Sequence, residues 1–238
     1  IFNSKWSRDR FFLDSQIKRF INKSAICYQS TNKTIIKIKE KKNIITFIGK
    51  LNSAKGFDIF GKTVLKILNK HDKWKAYVIG DEPREKMFFE HKNLINLGFK
   101  NNQFILNFLK SVGISVVCSR WEEPFGRTSL EAASRGSAVI ISNRGGLPET
   151  SKSAIKLKSL DVDNLYKEIS NLIQNQERLL KIQKLNYKNF IFNHKYIANL
   201  IDKIRSEFIH INLNVHINNK PLKIMHITNF NERFNGRL

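Results

Sequence analysis

Short apolar runs alternate with segments of helical periodicity from residue 44 to residue 157, and this alternation restricts the fold more than any other feature of the sequence. The apolar runs predict strands at residues 44–48, 75–79, 94–97, 114–118, 138–141 and 154–157. Helical spacing predicts connecting helices at residues 57–68, 102–111 and 128–135. Strands that alternate with helices form a parallel sheet with right-handed crossovers. We therefore predict a doubly wound α/β domain.

The most unusual stretch is residues 119–149, which reads SRWEEPFGRTSLEAASRGSAVIISNRGGLPE. Gly126 lets the backbone approach a ligand closely, and the helix predicted after it points free N–H groups back at the same turn, which favours an anion such as a phosphate. Glu123 and Glu131 flank that turn, where carboxylates can bind sugar hydroxyls. Residues 143–146 follow a predicted strand, at the edge where open α/β sheets bind ligands. The stretch predicts a site for a phosphate and a polyol; a surface turn with solvated carboxylates is the alternative.

These motifs resemble those of one enzyme family. The EPFG sequence at residues 123–126, followed by Glu131, is similar to the E-x7-E motif of retaining glycosyltransferases with two Rossmann-like domains, the GT-B type, and of family 4 (glycosyl transferases group 1) in particular. Residues 143–149 resemble the S-x-x-G-G-x-P-E loop of that family. The resemblance implies that the chain contains the Rossmann-like, carboxy-terminal donor-binding domain of a GT-B enzyme. It also implies that Glu123 contacts the donor sugar and that Glu131 binds the ribose.

The loop at residues 49–56, GKLNSAKG, is the second candidate site. It resembles the family's G-R-L-x-x-x-K-G segment, in which Arg and Lys neutralise the pyrophosphate of the donor. Fixed cations stabilise the charge that builds on a leaving diphosphate, and the resemblance assigns this role to Lys50 and Lys55. Lys50 stands where the family has Arg, so the charge is kept but the bidentate grip is lost. Two solvated surface lysines are the alternative.

A weaker candidate is Phe99, which follows Gly98 at the predicted end of a strand and matches a family position that borders the nucleotide base. A buried core phenylalanine is the alternative. The resemblance thus implies catalytic roles for Glu123, Lys50 and Lys55. It implies donor-binding roles for Gly49, Phe99, Phe125, Gly126, Arg127, Thr128 and Glu131. It implies no metal ligand and no cofactor. The nucleoside-diphosphate sugar is expected as the substrate.

The remaining segments predict the domain organisation. Residues 1–32 resemble the end of the family's amino-terminal Rossmann-like domain through the pattern F-x-S-x-W-x-R-x-x-F, with a strand at residues 25–28; an ordinary helix with a basic face is the alternative. We interpret residues 33–43 as a linker, residues 44–193 as the nucleotide-sugar-binding domain and residues 194–210 as a crossover helix.

The tail, residues 211–238, contains the phrase KIMHIT, which resembles the opening strand of another amino-terminal Rossmann-like domain. A disordered appendage is the alternative. Because the first residue is Ile1 and the tail resembles the start of a second module, we expect the chain to be a piece of a longer polypeptide.

The formal net charge is +22. The codon bias of an AT-rich genome would produce such a charge without selection on function. A functional explanation is attraction to anionic lipids. The basic residues are spread along the chain without a nucleic-acid-binding motif, so we expect no nucleic-acid partner. Cys27 and Cys118 lie in apolar surroundings, without disulfide or metal spacing, and are predicted to be small buried residues. We expect a cytoplasmic location, with peripheral attachment to the inner face of the membrane as an alternative.

The function implied by the resemblance is a retaining, metal-independent glycosyltransferase of the hexosyltransferase type. It would transfer a sugar from a nucleoside-diphosphate sugar to a glycan or lipid-linked acceptor, in the assembly of a cell-envelope polysaccharide. Three alternatives stay open. They are a noncatalytic sugar-nucleotide or glycan-binding module on the same fold, a basic scaffold for a membrane surface or nucleic acid, and a phosphorylase-like or sugar-phosphate-synthase reaction.

Overall fold

The computed structural model describes residues 1–213, and only the backbone of residues 18–20 and 208–213. Its six strands are β1 (Lys42–Ile48), β2 (Lys75–Ile79), β3 (Leu94–Asn96), β4 (Val112–Val117), β5 (Ala138–Ile141) and β6 (Ile155–Lys156). They form one parallel sheet in the order β3-β2-β1-β4-β5-β6. The predicted doubly wound parallel sheet is confirmed, and its strand order reverses between β1 and β4.

Helices connect these strands and flank the sheet. The α-helices of the described residues are α1 (Lys5–Asp14), α2 (Phe57–Lys70), α3 (Asn102–Phe108), α4 (Arg127–Ser134), α5 (Leu147–Thr150), α6 (Val162–Gln174), α7 (Gln176–Lys188) and α8 (His194–Leu213). Short 3-10 helices lie at Lys18–Lys23, Ile38–Glu40 and Ser53–Lys55. The last of these belongs to the loop predicted as the second candidate site.

The strand residues alternate between two apolar cores, one on each face of the sheet. In β5, Ala138 and Ile140 belong to the larger core with residues of α2 and α6, whereas Val139 and Ile141 belong to a second core with residues of α4. Phe60 of α2 is fully buried in the larger core, with its ring centroid 5.2 Å from that of Phe47. Both faces of the sheet are therefore covered, as the burial of a parallel sheet requires.

The predicted boundaries agree closely with the structure inside the α/β domain and less well before it. The strands predicted at residues 75–79 and 138–141 have these bounds in the structure. The strand predicted at residues 25–28 is wrong in extent, because only one parallel bridge, between Phe2 and Ile26, forms there. Two backbone hydrogen bonds, from Phe2 N to the Ala25 carbonyl and from Cys27 N to the Phe2 carbonyl, make up this bridge.

The chain divides into two units, Ile1–Ile201 and a second unit that starts at Asp202. The described part of the second unit is the last part of α8, where Lys203 and Glu207 form an exposed ion pair. The predicted tail, residues 211–238, lies outside the described residues from residue 214 onwards. Within residues 1–213, each helix is too short or too polar to cross a membrane.

Replacing a buried aromatic residue of the larger core tests the packing of α2 on the sheet. Phe60→Ala should lower the free energy of unfolding by about 3–5 kcal/mol, because it removes a fully buried ring and leaves a cavity. Phe88→Ala is the matched control, since that ring is 81% exposed and its loss should change the free energy by less than about 0.5 kcal/mol. Urea denaturation followed by circular dichroism measures both values. Equal losses would contradict the burial of Phe60.

Candidate active site

A pocket of about 210 Å³ opens at the carboxyl ends of β1 and β4, where the strand order reverses. Crevices at such switch points are where open α/β sheets bind ligands. The residues that line the pocket are Phe47, Ile48, Gly49, Lys55, Val116, Val117, Ser119, Glu123, Gly126, Arg127 and Thr128. Six of the ten residues predicted from the sequence are therefore in one pocket: Gly49, Lys55, Glu123, Gly126, Arg127 and Thr128.

The start of α4 forms one wall of the pocket. Gly126 precedes the helix with φ +110°, a left-handed backbone that favours glycine, and no side chain caps the helix start. A Cβ atom at Gly126 would lie 2.4 Å from Cδ2 of Leu147, so a side chain there would have to displace that leucine and adopt a strained backbone. The first N–H groups of a helix have no intrahelical partner and carry the positive end of the helix dipole. This wall can therefore bind a phosphate through the backbone.

Phe125 has its side chain on the other side of the turn. Its ring is 1% exposed and packs with Leu130 and Phe190, and its centroid lies 5.4 Å from that of Tyr28. The residue was predicted to bind the donor, and the structure leaves only its backbone next to Gly126 available for such contact. The buried ring anchors the turn in the protein interior.

Lys55 and Glu123 meet across the pocket. Lys55 Nζ donates a short hydrogen bond to Glu123 Oε1. The exposed fractions of the two side chains are 31% for Lys55 and 14% for Glu123. The cation predicted to bind the diphosphate and the carboxylate predicted to bind the sugar are thus partners of one another in the structure.

Glu131 lies beneath the pocket and is 4% exposed. Its Oε1 accepts hydrogen bonds from Arg127 Nε at 2.8 Å and from Asn102 Nδ2 at 2.9 Å. Arg127 lines the pocket, so the buried carboxylate is joined to the pocket through this ion pair. Asn102 was not predicted as a site residue, because it is the first residue of α3 and only the fold brings it to α4.

Lys50 and Phe99 lie outside the pocket lining. Lys50 follows Gly49 but has an exposed side chain. Phe99 is 73% exposed, so the alternative of a core phenylalanine is wrong. The donor-binding roles of both residues stay predictions.

A set of hydrogen bonds holds the loop of Lys55 against the loop of Glu123. The carbonyl of Ala54 accepts from the backbone N–H groups of Arg120 at 2.9 Å and Trp121 at 3.0 Å. The Arg120 guanidinium donates to both carboxylate oxygens of Asp58, at 2.6 and 2.7 Å, and to the carbonyl of Ser53 at 2.5 Å. Sequence reasoning missed Arg120 and Asp58, because they lie 62 residues apart and match no motif of the chain.

The glycine pair at residues 145 and 146 supports the site from behind. Gly145 has φ +55°, and a Cβ atom there would lie 2.2 Å from the Glu123 carbonyl oxygen. Gly146 N donates to the same carbonyl at 2.6 Å, and a Cβ atom at Gly146 would lie 2.5 Å from the Pro124 carbonyl oxygen. The pair belongs to the loop at residues 143–146, which was predicted to lie at the edge of the sheet where ligands bind. In the structure its missing side chains instead let two backbone segments touch.

Comparison with known proteins gives one family that covers the site. The family described as Glycosyl transferases group 1 matches residues 29–189, more than half of the chain. A relative described as an uncharacterized 42.6 kDa protein in the cps region of Klebsiella pneumoniae is 30% identical over 187 residues, which are 66% of this chain and 48% of that protein. The chain spans less than half the length of the curated relatives it matches.

Solved structures share the fold. HepE of Anabaena in complex with UDP is 18% identical, with a TM-score of 0.71 over 87% of this chain and 63% of that chain. The carboxy-terminal domain of a glycosyl transferase group 1 family protein from Francisella tularensis is 23% identical, with a TM-score of 0.55 over 68% of this chain and 92% of that domain. At these identities the likeness shows the fold alone, which is the Rossmann-like α/β fold of GT-B glycosyltransferases.

The ion pair between Arg120 and Asp58 should make stability depend on acid pH. Hydrogen bonding to Arg120 lowers the pKa of the Asp58 carboxyl from its usual value of about 3.9. The ionised Asp58 carboxylate stabilises the folded protein. This stabilisation is complete at a pH above the usual pKa and is lost as the pH falls through the lowered pKa. Asp58→Asn should reduce the free energy of unfolding by about 1 kcal/mol near neutral pH, since the pair is bidentate but partly exposed.

Urea denaturation between about pH 7 and pH 2 measures this difference, which should shrink toward zero at the acid end. Asp14→Asn is the matched control, because Asp14 pairs with Arg10 on an exposed helix surface. Its effect should be below about 0.5 kcal/mol at each pH. A difference for Asp58→Asn that is constant across this range would contradict the proposed role of the ion pair.

Proposed function

This chain belongs to the glycosyl transferases group 1 family, and from that premise we propose that it binds the donor of a retaining glycosyltransferase. The enzyme transfers a hexosyl group from a nucleoside-diphosphate sugar to a glycan or lipid-linked acceptor. One observation carries this proposal. Lys55, Glu123 and the uncapped start of α4 surround a single pocket at the reversal of the strand order.

The two ion pairs of the site define how a donor fits. Lys55 pairs with Glu123 and Arg127 pairs with Glu131, so each cation of the pocket has a carboxylate partner in the free protein. A nucleoside-diphosphate sugar carries anionic phosphoryl oxygens for the two cations and hydroxyl groups for the two carboxylates. Binding therefore exchanges both ion pairs, with the sugar at Glu123 and the ribose at Glu131. A nucleotide without its sugar leaves the Glu123 carboxylate without a new partner.

The proposed chemistry needs positive charge where the diphosphate leaves. As the bond between the anomeric carbon and the phosphate oxygen breaks, Lys55 and the N–H groups at the start of α4 stabilise the charge on the diphosphate. The acceptor oxygen bonds to the anomeric carbon on the same face, and its proton passes to the leaving phosphate oxygen. We propose that these fixed groups replace a metal ion in the reaction.

The relatives support the donor class and the setting. HepE of Anabaena is known in complex with UDP-glucose. A further relative, from Rhizobium leguminosarum, is described as a lipopolysaccharide core biosynthesis mannosyltransferase. For this chain we accordingly propose a hexosyl donor and a role in cell-envelope polysaccharide assembly.

A panel of donors tests the binding proposal on the 238-residue chain. UDP-, GDP-, ADP- and dTDP-sugars are compared by thermal shift, and one nucleotide class should stabilise the chain by about 2.7 kcal/mol at a concentration a hundred times its Kd. The shift should be the same with and without EDTA. The absence of a shift with every donor, together with binding to RNA or anionic vesicles that falls steeply with salt, would favour a basic scaffold instead.

Substitutions at the ion pairs test the roles of the individual residues. Lys55→Ala should weaken nucleotide binding about tenfold to a hundredfold, since it removes a charge-assisted contact. Glu123→Ala should raise the affinity for the nucleotide alone, because the nucleotide then has no ion pair to replace at Lys55, and should slow transfer by the full-length protein at least about a hundredfold. Calorimetry and product analysis measure the two effects. Lys66→Ala is the control, because Lys66 forms an exposed pair with Asp163.

The outcomes separate the alternatives. Transfer that is unaffected by Lys55→Ala and Glu123→Ala would indicate a noncatalytic sugar-nucleotide module. Lys50→Ala decides whether the exposed Lys50 has the role that the family pattern implies. A loss of affinity similar to that of Lys55→Ala would support that role, whereas unchanged affinity would leave the diphosphate to Lys55, Arg127 and α4.

A further inference from the structure

We propose that Glu149, together with Ser4, Ser7 and Tyr28, positions the sugar-binding carboxylate by tying the start of α1 to the turn that carries Glu123. The proposal rests on the proposed function, because it concerns the same pocket. It assigns a role to residues that do not line the pocket and that no motif reasoning singled out for catalysis.

The Glu149 carboxylate binds the start of α1 directly. Its Oε2 accepts from Lys5 N at 2.8 Å, and its Oε1 accepts from Trp6 N at 2.9 Å. A carboxylate at the positive end of a helix makes charge-assisted hydrogen bonds. The first turn of α1 contains no acidic residue of its own, so its partner comes from a residue 144 positions away.

Tyr28 supports the carboxylate from a second side. Its hydroxyl donates to Glu149 Oε2 at 3.1 Å. Burial, with the nearby Glu149 charge, raises the pKa of Tyr28 to about 12, so the hydroxyl keeps its proton over the physiological pH range. The Tyr28 ring also packs on the ring of Phe125, whose residue belongs to the turn.

Two serine hydroxyls connect α1 to the turn itself. Ser4 Oγ lies 2.5 Å from the Pro124 carbonyl oxygen, and Ser7 Oγ lies 2.9 Å from the same atom. A carbonyl oxygen can accept two hydrogen bonds, so both hydroxyls can donate to it. Ser4 is fully buried and also accepts from Ser7 N as the cap of the helix. Pro124 follows Glu123 directly, so these bonds fix the backbone next to the sugar-binding side chain.

The loop of Lys55 and the turn of Glu123 are held in place by different sets of contacts. The loop of Lys55 is held by Arg120 and Asp58, without any of the α1 contacts. The turn of Glu123 is held by the α1 contacts and by Gly146 N, which donates to the Glu123 carbonyl. Loosening α1 should therefore change how the sugar is positioned and leave the binding of the diphosphate intact. A residue that only capped α1 would change neither.

Amide hydrogen exchange tests this link without any ligand. Glu149→Gln and the double variant Ser4→Ala/Ser7→Ala should each speed exchange at the Lys5 and Trp6 amides roughly fivefold. The Leu130 amide, which donates to the Gly126 carbonyl at the far end of the turn, should also exchange faster. Glu168→Gln is the matched control, because Glu168 pairs with Arg178 away from the turn. Faster exchange that is confined to α1 would overturn the proposal and reduce Glu149 to a helix cap.

Binding and kinetics test the consequence for the reaction. With UDP and UDP-glucose, and with GDP and GDP-mannose, Glu149→Gln should keep the affinity for the nucleotide within about twofold and lower the preference for the sugar nucleotide about tenfold. In the full-length protein kcat should fall about tenfold with little change in the KM for the donor. Tyr28→Phe should give a smaller loss in the same direction.

The failures of the two proposals have different signatures. If the unmodified protein neither binds nor transfers from any of these donors, the proposed function fails, and the exchange experiment still decides whether α1 and the turn are linked. If the unmodified protein is active and Glu149→Gln matches it in kcat and in sugar preference, the positioning role is wrong while the proposed function stands.

Discussion

The site depends on one backbone carbonyl, that of Ala54, which accepts hydrogen bonds from two successive N–H groups of the loop after β4. The loop after β1 and the loop after β4 leave the sheet on either side of the strand-order reversal, and a parallel sheet by itself does not fix how they meet. The Ala54 carbonyl and the bidentate bond between Arg120 and Asp58 set that distance. The ion pair of Lys55 with Glu123 is possible only because these bonds bring the two loops together.

Pairing of every pocket cation with a carboxylate has a thermodynamic consequence. A ligand gains only the difference between its own contacts and those that it replaces. A nucleotide without sugar replaces the partner of Lys55 and leaves Glu123 partly buried without a cation. A complete sugar nucleotide supplies hydroxyl groups to the same carboxylate. We therefore propose that the arrangement favours the intact donor over the nucleotide product, which would help product release as well as donor selection.

The sequence predicted the sheet, the bounds of β2 and β5 and six of the pocket residues, because these depend on local periodicity and on motifs that span few residues. It did not predict Arg120 with Asp58, Asn102 with Glu131, or Glu149 with α1. Each of these contacts joins residues far apart in the chain, and a single charged or polar residue carries no sign of its distant partner. For Lys50 and Phe99 the resemblance identified a position in the sequence, but it did not predict that their side chains would be exposed and outside the pocket lining.

We propose that the pocket attracts an anion through its backbone more than through the large positive charge of the chain. Lys55 and Arg127 are the two cationic side chains of the lining. Each is paired with a carboxylate at hydrogen-bonding distance, so the net charge of each pair is zero. The positive potential left in the pocket comes from the backbone N–H groups at the uncapped start of α4. Those dipoles are fixed in direction and act over a few ångströms, whereas exposed lysines attract any anion and are screened by salt. We therefore propose that the backbone turn at Gly126 first attracts the diphosphate, and that Lys55 adds to this attraction when the sugar takes its place at Glu123.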